Sequence, residues 1–350
     1  MKKKLVKIAY VLLALSLCLQ AGFMASASPN VSVDQIAKQV LTAYYGIDEQ
    51  GVETICYENI QEFKTELYTA FPDMSDLDVA KYILLYTGNT LEEVNQLDDE
   101  YILEALTYGE RIHSNSYIKT DKNGNQTIMS RNKMIDEITD STPANGIAPM
   151  STWTSSDGYM RLTTTASSTT GSVSGRKYYI LETTGKWLKT PINKGEDILA
   201  IGTTAVFDNT YNYYGQYVQS IQCKTSYGIC DNKTWTYTVS KNAGANSSNI
   251  KFEFDTSGSG GMALRFKLFS YTCPQSGSLA HMISYPKMEA KLRFKVSLYD
   301  VDAEVRPYYC HKQIGIGSVG VGFSQSGPSI SFSFIGTKAV YAAEPLAIRG

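Results

Sequence analysis

Two spacings of apolar residues divide this 350-residue chain, and they change over close to residue 150. In the first part apolar side chains recur every three or four positions. Val33, Ile36, Ala37, Val40, Leu41 and Tyr44 fall on one helical face, with Ser32 and Gln35 as a capping box ahead of them. A second helix is expected to turn Ile60, Phe63, Leu67 and Phe71 inward. Ser75 caps a third, which runs through Leu77, Ala80 and Leu84 and stops at Gly88. Thr90 and Glu93 make another capping box. Asp98, Asp99 and Glu100 then occupy the first turn of a last helix, where negative charge is favoured; Ile102, Ala105 and Leu106 form its buried stripe. Residues 28–114 thus predict a small helical domain.

Residues 115–150 read as a β-hairpin and a linker. Segments 117–120 and 126–129 flank Asn123-Gly124, a strong hairpin signal, and Pro143, Gly146 and Pro149 break any period after Asp140. The turn resembles a calcium loop at first glance. It lacks the loop glycine, replaced by Gln126, and the closing glutamate, replaced by Asn132.

From Ser151 to Gly350 the period is two. Met262, Leu264, Phe266 and Leu268 alternate with Ala263, Arg265 and Lys267. Leu292, Phe294, Val296 and Leu298 alternate with Lys291, Arg293, Lys295 and Ser297, while Trp235, Tyr237 and Val239 oppose Thr234, Thr236 and Thr238. One buried and one wet face is the antiparallel pattern. Residues 151–350 therefore predict an all-β antiparallel sandwich or barrel. The fold class is α+β in two domains, helical first and β second.

The sharpest local pattern is at 314–335. Ile314 and Ile316 alternate with Gly315 and Gly317. After a phase slip at Ser318, Val319, Val321 and Phe323 alternate with Gly320, Gly322 and Ser324. A turn at 325–328 leads to Ile330, Phe332 and Phe334, interleaved with Ser329, Ser331 and Ser333. Such a hairpin could present apolar residues to lipid and small ones to a lumen. It equally suits a soluble sandwich whose glycines let another backbone approach, and that reading is preferred at this stage. The slip reads as a β-bulge.

The N-terminus sets the compartment. Lys2, Lys3, Lys4 and Lys7 precede an apolar run from Ile8 to Leu19, and Ala25-Ser26-Ala27 closes it. That is a cleaved secretory signal over residues 1–27, too short for a permanent span. Cys18 leaves with it; in Leu15-Ser16-Leu17 ahead of it, a bulky Leu17 stands where a lipid-attachment motif needs a small residue. The protein is expected to be secreted. An oxidising compartment favours disulfides among the remaining cysteines, with Cys223–Cys230 and Cys273–Cys310 as the expected pairs and Cys56 the odd one. His113, His281 and His311 show no zinc-ligand spacing, so neither metal nor cofactor is expected.

Charge separates the two parts. From Ser28 to Ser114 there are 17 acidic and 4 basic side chains, a balance of 4 − 17 = −13. From Ser151 to Gly350 there are 13 acidic and 20 basic, a balance of 20 − 13 = +7. On the basic part, Arg265 and Lys267 with Lys291, Arg293 and Lys295 would form a patch for anionic polymers if their strands were neighbours. Tyr211, Tyr213, Tyr214 and Tyr217, beside Asn209 and Asn212 and with Trp153 and Trp187 near in sequence, could stack on sugar rings.

Catalytic signatures are missing: there is no Gly-x-Ser-x-Gly elbow, no His-Glu-x-x-His helix and no P-loop. Only a carboxylate glycosidase built from Asp208, Asp231, Asp255 or Asp300 stands as an enzymatic option. The leading expectation is a secreted, non-catalytic protein that binds a cell-envelope glycan or anionic wall polymer through its β domain. A membrane-active protein using the 314–335 hairpin is the first alternative and a hydrolase the second. Nucleic acid is not an expected partner, and no motif sets the oligomeric state.

Overall fold

The structure, a computed structural model, describes residues 31–121, 125–140, 158–173, 175–189, 195–225, 228–254, 260–271, 282–324 and 327–350. Antiparallel β-sheet dominates. The chain divides into two compact units. One gathers the residues up to Ile47 with Thr54–His113 and Thr165–Tyr179; the other gathers Asp48–Glu53, Ser114–Thr164 and Ile180–Gly350.

In the first unit, helices α1 (Val33–Val40), α2 (Ile60–Ala70), α3 (Asp76–Tyr86), α4 (Leu91–Val94) and α5 (Asp99–Leu103) surround a core in which Ile60, Phe63, Leu67, Ile83 and Leu84 are fully buried. The capping boxes at Ser32–Gln35 and Thr90–Glu93 both form. Ser75 accepts from the Asp78 amide at the start of α3, and Gly88 follows α3 at φ +108°, a conformation that favours glycine. The acidic segment also contains strands β1 (Thr42–Ile47) and β2 (Glu53–Glu58), where helical spacing alone had been read. Leu41 leaves the helix with extended dihedrals, so Tyr44 belongs to a strand and not to the face begun at Val33.

Strand β3 (Tyr108–Thr120) pairs with β4 (Gln126–Met129) through Thr120↔Gln126 and Tyr117↔Met129. The following helix α6 (Arg131–Asp140) stands where only a linker was expected. Met134, fully buried with Tyr117, Met129 and Tyr159, anchors it. The expected linker from 141 to 150, and the start of the expected β domain up to 157, lie outside the described residues.

The remaining elements are strands, and the stretch Thr165–Tyr179 among them belongs to the first unit. The elements are β5 (Gly158–Val173), β6 (Arg176–Trp187), β7 (Glu196–Thr203), β8 (Val206–Phe207), β9 (Tyr214–Thr225), β10 (Gly228–Ser240), β11 (Gly244–Ala245), β12 (Ile250–Phe254), β13 (Gly260–Lys267), β14 (Met282–Tyr299), β15 (Ala303–Phe323), β16 (Ile330–Ala342) and β17 (Leu346–Ile348). One sheet contains β6-β14-β9-β10-β11; a second runs β12-β13-β7-β15-β16, with β17 on β15. The two pack face to face. Tyr217 of the first stacks on Phe266 of the second at 4.5 Å, and Phe207 of the first meets Phe254 of the second at 6.3 Å. Gly215 admits Leu264 so closely that a Cβ there would lie 2.4 Å from its Cδ1. The expected alternation on β13 and β14 places Leu264, Phe266, Leu292 and Phe294 in this core.

Candidate functional site

Period two gives the second sheet two faces. Leu199, Ile201, Leu264, Phe266 and Tyr309 point at the other sheet, whereas Ile198, Ala200, Ala263, Tyr308 and Cys310 point away from it. An outward face in a two-layer sandwich would normally be wet. Here Ile198, Ala200, Ala263 and Cys310 have no exposure at all.

The cover is the far end of the β15–β16 hairpin. The base of the hairpin lies in the sheet, with Tyr309↔Tyr341 and His311↔Ala339 in register. The register then shifts between Lys312 and Ile314 and again between Ile316 and Gly320. Bulges bend the strand that carries them. Beyond them the arm doubles back, setting Ile330 and Phe332, with Val321 and Phe323 beside them, onto Ile198, Ala200, Ala263, Tyr308 and Cys310. Lys338 donates a hydrogen bond to the Phe332 carbonyl across the fold. At the far end Gly202 lets the Pro328 carbonyl approach; a Cβ there would sit 2.0 Å from that oxygen. Gly260, at φ +103°, leaves room in the same way for Phe323 and Ser324.

Alternation holds through the described side chains of 329–333 and at Gly320 and Gly322. Ile330 and Phe332 are buried while Ser329, Ser331 and Ser333 are exposed, and Gly320 and Gly322 face solvent opposite Ser333 and Ser331. No charged residue occurs between Lys312 and Lys338, which pair directly across the hairpin at its bend. The preference for a soluble sandwich hairpin is therefore refined. The arm is sandwich material, but it is applied to the outside of the sheet.

The base is held differently. Trp187 Nε1 donates to Tyr309 Oη at 2.9 Å, Tyr309 Oη donates to Asp197 Oδ2 at 2.6 Å, and His311 Nδ1 lies 2.8 Å from Asp197 Oδ1. Asp197 has no exposure, and burial pushes the Tyr309 phenol well above its ordinary pKa. No sequence motif marks this network. Its one trace is an acidic residue at the start of the otherwise apolar run from Ile198 to Ile201.

The sequence-derived binding residues do not assemble. Arg265 lies on β13 and Lys291, Arg293 and Lys295 on β14, which belong to different sheets. Arg265 is 5% exposed and held by Glu253 at 2.6 Å and by Glu196. Arg293 is 1% exposed, 3.2 Å from Glu182, and donates from Nε to Tyr211 Oη at 3.1 Å; Lys291 lies 3.8 Å from the same carboxylate. At Arg265, Lys291 and Arg293 the expected basic face is dry and neutralised, because buried cations require paired anions. Lys267 is exposed and Lys295 half-buried.

The tyrosines are divided as well. Tyr211 sits over Arg293, Tyr213 packs on Phe252 at 4.8 Å, Tyr214 is buried, and Tyr217 is core. A sugar platform needs exposed rings sharing one plane, and with Tyr214 and Tyr217 buried these four tyrosines do not provide it. Trp153 lies outside the described residues. Of the candidate carboxylates, Asp208 accepts from Thr210, Asp231 accepts from Tyr271, Asp300 turns the chain at φ +41°, and Asp255 is outside the described residues.

The thiols also depart from expectation. Cys310 is a free thiol, buried beneath Ile330 and Phe332, and is not paired with Cys273, which lies outside the described residues. Burial pushes its pKa up to about 12. Cys56 keeps its thiol, which donates to Glu110 Oε1 at 3.2 Å. Cys223 is disulfide-bonded, and the side chain of its expected partner, Cys230, is outside the described set. Among the described residues no cluster of His, Cys, Asp and Glu could hold a metal ion, and no helix is long and apolar enough to cross a membrane.

No family model and no curated protein matches this chain. Among solved structures it is similar to the Clostridium perfringens NetB toxin in its membrane-inserted form, at 8% identity and a TM-score of 0.20 over 55% of this chain and 91% of that one. It is also similar to Clostridium perfringens delta-toxin, at 7% identity and a TM-score of 0.25 over 69% and 90%. A structure combining manganese lipoxygenase of Gaeumannomyces graminis with part of zonadhesin of Komagataella pastoris matches at 9% identity and a TM-score of 0.17, over 69% and 66%. Superpositions of this quality do not establish a common fold.

Proposed function

We propose that this is an exported, membrane-active protein whose β15–β16 arm leaves the sheet and enters a lipid bilayer. The observation that carries the reading is the arm's two-sidedness: a contiguous apolar side held against protein and a Gly/Ser side in water. Burying each large apolar side chain is worth roughly 1.5–3 kcal/mol. Moving Val321, Phe323, Ile330 and Phe332 into water would forfeit that; moving them into lipid would not. The segment from Ile314 to Phe323 supplies ten residues, the length of a tilted transmembrane strand. It is uncharged, and Lys312 and Lys338 mark its limit, where long cationic side chains can reach the headgroups.

A lone hairpin in lipid would leave the outer edges of both strands without hydrogen-bond partners, which hydrocarbon does not tolerate. Insertion in this reading therefore joins hairpins from several copies into a closed barrel. The test is dye release from phospholipid vesicles. Wild type should release; Val321→Lys, which places a charge on the lipid side inside the ten-residue segment at a half-buried position, should cut release sharply, since such a charge costs about 2–4 kcal/mol at the bilayer midplane and less towards the interfaces. Ser331→Lys, on the exposed side, should retain it. Silence from wild type, or equal release by wild type and Val321→Lys, would overturn the proposal.

A further inference from the structure

The root of the arm fixes one level of the second sheet. Lys267 pairs with Glu196, one step past the row of Phe266, Asp197 and His311, and Lys312 with Lys338 stand at that same step. Two parts of the β unit run past this level, in the direction in which β15 is heading. After Lys267 the chain continues through Leu268, whose amide donates to the Gly195 carbonyl, to Phe269 and Tyr271. On the other sheet, Gly215 lies against Leu264 and Tyr217 stacks on Phe266, so β9 from Gln219 onwards overhangs the last row of the second sheet. Its neighbours go with it, through Gln219↔Trp235 and Ile221↔Lys233 on β10 and Ser220↔Lys287 on β14.

This overhang carries aromatic rings. Phe269 stacks on Trp235 at 6.1 Å and on Tyr237 at 5.0 Å, and Tyr271 stands 6.3 Å from Trp235. The fully buried Gln219 clips Phe269 in place, accepting from its amide at 2.9 Å and donating to its carbonyl at 2.8 Å. Trp235, Phe269 and Tyr271 are half-buried, and Ile229, near the end of the β9–β10 hairpin, is 59% exposed. Lys224, Lys233 and Lys287 lie on the overhanging strands, with Lys267 at their edge. The carboxylates among the described residues here are engaged or dry. Asp231 lies 3.5 Å from Lys233 and accepts from Tyr271, Arg265 holds Glu196 and Glu253, and Asp197 and Glu289 are buried.

We infer that this overhang is where the chain first meets a bilayer, and that the bilayer carries anionic phospholipid. The inference rests on the membrane-active reading and adds the place of first contact and the lipid. Extended chain rises about 3.3 Å per residue, so Phe269, two residues past Lys267, reaches roughly 7 Å beyond the row of Lys312 and Lys338. With those lysines at the headgroups, the rings stand at the interfacial depth where tryptophan and tyrosine collect. The same contact lays lipid against the bend from which the arm must straighten. Charge selects the headgroup, because each lysine near an anionic surface strengthens adsorption about fivefold.

The experiment is sedimentation of the full chain with vesicles of phosphatidylcholine, alone or mixed with phosphatidylglycerol, scored separately from dye release. Wild type should prefer the mixed vesicles, and high salt should shrink the preference. Ile229→Asp should weaken binding about tenfold and Ile229→Trp should strengthen it, opposite directions that misfolding does not produce. Lys267→Gln should weaken binding about fivefold on the mixed vesicles only. Brominated phosphatidylcholine in the mixed vesicles should quench tryptophan fluorescence, and Trp235→Phe should remove most of that quenching, since Trp187 is buried. Val321→Lys should sediment like wild type while releasing less dye. Equal binding to both vesicles, Ile229 and Lys267 variants that bind as wild type does, or quenching that survives Trp235→Phe would each overturn the docking inference, even where dye release stands. Binding that follows these variants with no release by any protein would leave docking intact and sink the insertion reading.

Discussion

The two halves of the β15–β16 hairpin are continuous in sequence and opposite in how they are held. The base is locked between the sheets by Asp197, which accepts from Tyr309 and pairs with His311 in a fully desolvated setting. Those bonds are directional and have no substitute elsewhere. The arm is held by apolar contacts and by one lysine on a backbone carbonyl. Apolar contacts are indifferent to what supplies the apolar surroundings. A single hairpin can thus combine a fixed root with an exchangeable tip, and the bulges near Lys312 and Gly320 mark where one regime gives way to the other.

The comparison breaks most severely at Asp197. Asp197→Ala leaves Tyr309 and His311 with buried polar atoms unmatched and should cost about 3–5 kcal/mol, read as a lowered denaturant midpoint for the β unit. The next effect should be local. Phe332→Ala removes a ring 8% exposed from the cover of Cys310 and should weaken the arm's hold by about 2–3 kcal/mol. That should appear as alkylation of Cys310 some thirtyfold faster or more, with the midpoint for the base little changed. Equal changes in both would mean that arm and base come apart together.

A pH series sharpens the contrast. The raised pKa of Cys310 means that the folded chain holds this thiol proton more tightly than the unfolded chain, whose thiol titrates near about 8.5. Its contribution to stability is full below that pH and is lost as pH rises towards 12. Cys310→Ala should therefore flatten part of the alkaline fall in stability measured by thermal unfolding; an unchanged slope would show that the thiol already meets water. The smallest effect belongs to the arm's wet side. Ser331→Ala deletes an exposed hydroxyl whose contact with the Gly322 carbonyl is 3.4 Å long, and stability should move by less than about 0.5 kcal/mol.

Local rules carried a good part of the fold. Capping boxes at Ser32 and Thr90 and the pairing of the strands on either side of the Asn-Gly pair involve neighbours in sequence and appear in the structure, and alternation on β13 and β14 picked out the core face, although the opposite face is dry as well. What stayed hidden depended on distant partners. Arg293 looks like surface until Glu182, 111 residues away, is set beside it. Arg265 looks wet until Glu253 and Glu196 close on it. Helix α6 escaped because it is polar overall, with Met134 its one buried apolar residue among the described side chains and so too little apolar content to mark a face. The phase slip at Ser318 falls within a real irregularity of register. Alternation along a strand says which side chains share a face, not which way a bulge turns the strand, so the doubling-back was invisible.

The facing pair Lys312 and Lys338 has an electrical consequence. Were several such hairpins to line a conduit, each would bring two cations to one level, and the mouth would become a positively charged ring. Ionic current through it would be carried mainly by chloride, and the reversal potential across a salt gradient would report that bias in sign as well as size.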